Sequence, residues 1–229
     1  MYPKILIPLH GTERIQFRTM LRRHFHLLFF LLAHLLACGE SMSYKTFSNI
    51  FPNGEAYSIY SFGQDKQGLM WFGTNKGLFS YDGFSAQQHF RLGEKSNTLV
   101  HAILAYDAHH LYLGTDNGIQ IYNYVTDKYE KVNVKFPEDV RTLVVKDKLI
   151  WIGSLNGLFT YNPLTKKLAN ISEKKDSGLP NNTVYTLLKT KENVLYVGTY
   201  NGLCRLDAQK KRFERIPLPL NAGRSNVFV

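Results

Sequence analysis

Four times the chain returns to one phrase: WFGTNKGLFSYD from Trp71, YLGTDNGIQIYN from Tyr112, WIGSLNGLFTYN from Trp151 and YVGTYNGLCRLD from Tyr196. The first glycines of the phrase, Gly73, Gly114, Gly153 and Gly198, are separated by 41, 39 and 45 residues. A period of that length marks a repeat architecture. Each copy is a supersecondary unit that cannot hide its own apolar face, so neighbouring copies stack to make a core.

The phrase also defines the unit. An aromatic-rich run (70–74, 111–115, 150–154, 195–199) is followed two residues later by a second apolar run that opens Gly-Leu or Gly-Ile. Asn117-Gly118, Asn156-Gly157 and Asn201-Gly202 stand at the joins, and Lys76-Gly77 takes their place in the first copy. Asn-Gly between strand-like runs predicts a β-hairpin with a two-residue type I′ turn, positive φ falling on both central residues. Upstream lie β-branched and aromatic stretches at 57–62, 100–106, 140–145 and 184–188, which read as inner strands. Downstream come short, charged, alternating segments such as 128–132 and 212–216, suited to half-exposed outer strands. Four antiparallel strands in about 40 residues, repeated, is the sequence pattern of a β-propeller blade. The expected fold is therefore all-β, with blades near 56–91, 99–133, 139–172 and 182–217 and the start of a further inner strand at 224–229.

Residues 1–43 do not share this pattern. Met20 opens Met-Leu-Arg-Arg-His, and 25–38 is almost wholly apolar before Ala37-Cys38-Gly39. A basic start, a short apolar run and small residues predict a secretory signal peptide with Met20 as the true start, and hence a periplasmic protein. Cleavage near Ala37 is the plain reading; Leu35-Leu36-Ala37-Cys38 also has the form of a lipoprotein signal that would anchor the chain through Cys38. Residues 1–38 hold five basic side chains against Glu13, which leaves +6 of the formal +10 on the remainder. Those charges are scattered over turns and outer strands, so nucleic acid is not an expected partner. Beyond the leader, Cys204 is the sole cysteine and has no disulfide partner. It replaces Phe79, Gln120 and Phe159 at the matching position, which favours a packed thiol over a nucleophile.

Four visible repeats, a Tyr44–Phe47 segment of outer-strand character and an unfinished strand at 224–229 suggest part of a seven-bladed ring, either a truncated product or one piece of a split gene. A closed four-bladed ring is the alternative, since propellers have about 4–8 blades.

The first repeat, GQDKQGLMWFGTNKGLFSYDGF from Gly63 to Phe84, resembles the two-component regulator propeller repeat. That repeat fills the periplasmic sensor half of hybrid two-component system histidine kinases of Bacteroidetes. The order of leader, YKTF-like strand, Ala56-Tyr57-Ser58-Ile59 and the D-x-x-G-x-x-W-F-G-T phrase resembles the opening of such sensors, over roughly 44–229. The resemblance implies a non-catalytic sensing module whose intact relatives carry two seven-bladed propellers, an immunoglobulin-like domain, a membrane helix and kinase parts. It also implies an oligosaccharide ligand, and the rest of a sensor kinase or a dimer mate as partner.

No cofactor, metal or catalytic constellation stands out. His109-His110 would point to opposite faces of a strand, poor geometry for one metal. Asp65 reads as a turn residue bonding its own backbone. The repeated positions read as architecture: Trp71, Tyr112, Trp151 and Tyr196 between blades; Gly73, Gly114, Gly153 and Gly198 for close approach; and Gly77, Gly118, Gly157 and Gly202 at the hairpins. Tyr81, Tyr122 and Tyr161 recur in the same way. A ligand site uses residues that differ between blades, which directs attention to the connections 95–97, 136–139 and 179–182. The alternative function, a propeller enzyme acting on polysaccharide, would need acids or histidines clustered at the axis.

Overall fold

The computed structural model describes residues 50–52, 55–89, 98–172 and 177–217. They contain sixteen strands and no helix. The first sheet is β1 (Ile59–Gln64), β2 (Met70–Thr74), β3 (Gly77–Tyr81) and β4 (Ala86–His89), and the second is β5 (Val100–Ala105), β6 (His110–Thr115), β7 (Gly118–Asn123) and β8 (Lys128–Glu130). The third is β9 (Val140–Lys146), β10 (Leu149–Ser154), β11 (Gly157–Asn162) and β12 (Lys167–Asn170), and the fourth is β13 (Val184–Lys189), β14 (Leu195–Thr199), β15 (Gly202–Asp207) and β16 (Arg212–Arg215). Each sheet is an antiparallel meander with its strands in chain order. The leader and the segment 224–229 lie outside the described residues.

The sheets pack face to face through three apolar seams. Trp71 and Leu78 meet Val100, Leu111, Leu113 and Tyr122 between the first and second sheets. Tyr112, Ile119 and Ile121 meet Val140, Ile150, Ile152 and Tyr161 between the second and third, and Trp151 and Leu158 meet Val184, Leu195, Val197, Cys204 and Phe213 between the third and fourth. Burial of each such large side chain stabilises the fold by about 1.5–3 kcal/mol. The innermost strands touch in order, β1 with β5, β5 with β9 and β9 with β13. Among the described residues no contact of that order joins β13 back to β1.

The glycine of β2, β6 and β10 sets the distance between blades. A Cβ at Gly114 would lie 2.7 Å from Val140 Cγ1, and one at Gly153 would lie 2.7 Å from Val184 Cγ1. Each is the valine that opens the next inner strand, and distances below 3.0 Å leave no room for even one methyl group.

The hairpin turns differ from expectation in one respect. The hairpins form where Asn-Gly predicts them, but none of residues 75–76, 116–117, 155–156 or 200–201 has positive φ. The left-handed conformation falls on the glycine alone, at φ between 102° and 147° for Gly77, Gly118, Gly157 and Gly202. The cause is a hydroxyl clamp. Thr74, Thr115, Ser154 and Thr199 each donate to the carbonyl of that glycine, at 2.8–3.1 Å. In the first three the same oxygen also accepts from the second turn residue's N–H, a local side-chain bond that specifies the turn. The primed turn falls elsewhere, at Asp147-Lys148 between β9 and β10, where both residues have positive φ (52° and 61°) without any glycine.

Candidate functional site

All four innermost strands carry an irregularity at one place. Ile59 pairs with Thr74 and Ser61 with Gly73, so Tyr60 is left out of the ladder. His101, Arg141 and Tyr185 are left out in the same way at the corresponding positions of β5, β9 and β13. A bulge re-aims the side chain of its extra residue and is common beside binding sites. The flanking residues repeat (Ile59, Val100, Val140, Val184), whereas the bulged ones are Tyr, His, Arg and Tyr.

Three of the four form a continuous surface. The Tyr60 and His101 rings lie 5.1 Å apart, and Arg141 Nη1 is 2.9 Å from His101 Nε2. Arg141 Nη2 donates to Asp139 Oδ1 at 3.2 Å. Since Arg141 only donates, the ring nitrogen it approaches must accept, which requires a neutral imidazole. Burial, reinforced by the Arg141 charge, holds His101 below its ordinary value, although Asp116 and Asp139 pull the other way. Asp139 is fixed by backbone bonds on both sides: its N–H donates to the Asp116 carbonyl, and its own carbonyl accepts from Leu155 N–H. Arg141 Nε and Asp116 Oδ1 are buried without hydrogen-bond partners, a state that calls for a physical explanation in a folded protein.

Of the connecting segments singled out from sequence, only Asp139 joins this surface. Phe136 is buried at the seam, with its ring 5.0 Å from that of Tyr161. Leu179 packs on the third seam, Asn181 accepts from Thr183 N–H, and 95–97 lies outside the described residues. Residue-by-residue reading missed Tyr60, His101, Arg141 and Tyr185. Their signal was a change of chemistry directly after a repeating aliphatic residue.

The repeat positions sit as follows. Trp71, Trp151 and Tyr112 are buried in the three seams, while Tyr196 is half-buried on β14. Tyr122 and Tyr161 are buried as well, and Tyr81 donates to the Gly83 carbonyl. Asp65 accepts from the N–H groups of Gln67 and Leu69, as expected, and also from the Trp71 indole at 2.9 Å. His110 bridges Asp107 and Glu130, each at 2.9 Å. Burial pushes Cys204 up to about 12, and it is fully buried.

The structure also assembles a Ser–His–Asp chain that sequence inspection did not find. Ser80 Oγ lies 2.8 Å from His89 Nε2, and His89 Nδ1 lies 3.1 Å from Asp127 Oδ1. Tyr122 OH closes the group on Asp127 and His89. Its setting is structural. Ser80 is only 8% exposed, and β3 is hydrogen bonded on both edges, so its backbone N–H groups are committed to the ladder rather than aimed at an oxyanion. The group joins the first blade to the second.

A stack of four-stranded antiparallel sheets whose innermost strands touch in order is a propeller module, and here its inner strands carry a row of varied side chains. The two component regulator propeller family matches at residues 53–76 and 178–201. Two crystal structures of the extracellular domain of BT4673 from B. thetaiotaomicron, described in one as a putative one component system and in the other as a putative hybrid two component system, are 48% and 49% identical. Each has a TM-score of 0.73; the chain is covered over 80% and 81% of its length but spans only 25% of each. The extracellular domain of the putative hybrid two component system BT3049 from the same organism, at 21% identity and TM-score 0.63 over 80% of this chain and 27% of that one, shares the fold. No curated protein matches. The chain carries two-component regulator propeller repeats, and its described residues form propeller blades.

Proposed function

We propose that the chain belongs to the sensory propeller of a membrane-associated two-component-type system, that it acts on the periplasmic side without catalysis of its own, and that it recognises an oligosaccharide. The observation that carries the reading is the bulged row: Tyr60, His101, Arg141 and Tyr185 vary in chemistry on a scaffold that otherwise repeats. Its support from outside is the similarity to an extracellular domain of a putative two component system. Aromatic rings beside a guanidinium and carboxylates are the groups that hold saccharides, the rings against C–H faces and the polar groups on hydroxyls. The enzyme alternative draws no support from Ser80–His89–Asp127, whose serine is sealed.

The test is calorimetric titration of the full chain with a panel of neutral and acidic oligosaccharides. Saturable binding by at least one, weakened by Tyr60→Ala, is the expected outcome. No binding by any of them would remove the saccharide reading.

A further inference from the structure

We propose that the outer hairpin turns of the blades form a docking rim for an anionic phospholipid surface, with apolar tips entering the headgroup layer and basic side chains meeting the phosphates. The proposal goes beyond the sensory reading and holds whether or not the protein binds a saccharide.

A meander puts the β3–β4, β7–β8, β11–β12 and β15–β16 turns at the same end of their sheets. All four are built alike at their start. Asp82, Asn123, Asn162 and Asp207 each accept, through Oδ1, from the backbone N–H groups two and three residues on. That side-chain bond sets the turn and holds the second residue after it at the tip. The tip residues of the first three blades are Phe84, Val125 and Leu164, exposed by 88%, 55% and 84%, and the fourth is Gln209. One exposed apolar side chain on a surface carries no message. Here the same position of three successive turns is apolar, and none of the three side chains belongs to a seam.

Basic side chains flank the tips on the third and fourth blades. Leu164 is followed by Lys166 and Lys167 with no acid in the turn, and Gln209 is followed by Lys210, Lys211 and Arg212. Lys210 is engaged by Glu214 and Asp207, whereas Lys166, Lys167, Lys211 and Arg212 are exposed and have no ion pair among the described residues. The acids of these turns are taken up within the protein. Asp82 and Asp207 hold their own turns, and Asp127 is bound by Tyr122 and His89.

This arrangement selects among occupants. A protein partner needs a contiguous apolar core at the contact, but these tips come one to a blade, each followed by Ser85, Thr126 or Thr165. A fluid headgroup layer accepts isolated tips, and apolar insertion combined with cationic attraction is how proteins lie on anionic membranes.

The experiment uses the full chain and two lipid probes. Cosedimentation is measured with vesicles of phosphatidylcholine alone and of phosphatidylcholine with one quarter phosphatidylglycerol. Methyl NMR is recorded with bicelles of the second composition carrying a nitroxide-labelled lipid. Binding should require phosphatidylglycerol and weaken at least fivefold when sodium chloride rises from about 50 to about 300 mM. It should weaken about tenfold in Phe84→Ser/Leu164→Ser and by a similar factor in Lys166→Gln/Lys167→Gln. Leu188→Ser, at an equally exposed apolar residue on an innermost strand, should change nothing. In the wild-type chain the nitroxide should attenuate the Val125 and Leu164 methyls more than those of Leu188, a readout that needs no variant to fold. Binding indifferent to phosphatidylglycerol or to both double variants overturns the proposal. So does equal attenuation at Leu188, or a change of oligomeric state in the tip variants with lipid ignored, which would make the row a protein contact.

Discussion

Trp71 and Trp151 occupy the same position of the repeat, and the two seams they fill are held in different ways. Trp71 is 2% exposed and its indole N–H donates to Asp65, which also ties its own turn; beyond it lie His89, Tyr122 and Asp127 in a polar group that crosses from the first blade to the second. Trp151 packs against Val184, Leu195, Cys204 and Phe213, and its indole N–H is buried with no partner. The difference begins in the loop. The first blade places five residues between β1 and β2, long enough for Asp65 to fold back over the turn. The third places only Asp147-Lys148 between β9 and β10, and Asp147 bonds outward to Lys146 and Asn193 instead. One repeated residue thus serves as part of a hydrogen-bonded network in one seam and as apolar filling in another.

The coarsest way to break this comparison is to delete both indoles. Trp71→Ala and Trp151→Ala should each cost about 3–5 kcal/mol by denaturant unfolding, since each empties a packed seam. Trp71→Ala should lie at the upper end, because it also takes from the Asp65 carboxylate one of its three donors. Equal losses would mean that the Asp65 bond adds nothing to the packing.

Phenylalanine isolates the polar part. Trp71→Phe keeps most of the ring but removes a hydrogen bond to a charged acceptor, an expected loss of about 1.5–3 kcal/mol. Trp151→Phe removes a buried donor that had no partner, so the expected loss is about 1 kcal/mol or less, the residue of imperfect packing. A larger loss for Trp151→Phe than for Trp71→Phe would reverse the assignment of the two seams.

Cys204 reports on the third seam alone. It is fully buried, its Sγ is 3.5 Å from the Val197 carbonyl, and burial holds the thiol up to about 12. Alkylation at pH 8, followed at Cys204 by peptide mapping, should be negligible in the native protein and should accelerate in Trp151→Ala. In a stack where each unit touches only its neighbours, Trp71→Ala should leave that rate nearly unchanged. Equal acceleration by both would show that the blades open together.

Much of the scaffold was legible because it repeats. The phrase placed the hairpins, the inner and outer strands and the aromatic layer, since a radial stack demands the same solution in each copy. The turn type was misread for a local reason: Asn-Gly is compatible with two loop geometries, and the Thr or Ser preceding the turn selects the one with positive φ on glycine alone. The candidate site was less legible. A bulge leaves no mark in an alternating pattern, so Tyr60, His101 and Arg141 read as ordinary strand residues until the ladders fix the register. Ser80 and His89 sit on neighbouring strands of the first sheet and Asp127 in the turn before β8 of the second blade, so only blade-to-blade packing brings Asp127 to the pair.

The smallest effect separates the two seams by pH. Every described histidine, His89, His101, His109 and His110, lies in the first two repeats, and the Trp151 seam has none. Burial pushes His110 down, but its bonds to Asp107 and Glu130 outweigh that and hold it above its ordinary 6.5. Its contribution to stability is therefore present below the unfolded value and is lost as pH rises through the raised folded one. His101 has the opposite sign. Burial and Arg141 depress it, so the unfolded chain takes up a proton first, and stability is lost as pH falls below 6.5 toward the folded value. The two trends oppose each other, so the wild-type thermal melt reports only their difference between about pH 5.5 and 8, while single variants expose each component. The advantage of wild type over His110→Gln should be larger at the acidic end, and its advantage over His101→Gln larger at the alkaline end. Trp151→Phe should shift the melt equally at both. A pH-dependent shift in that variant would place a titrating group at a seam where packing alone is expected to act.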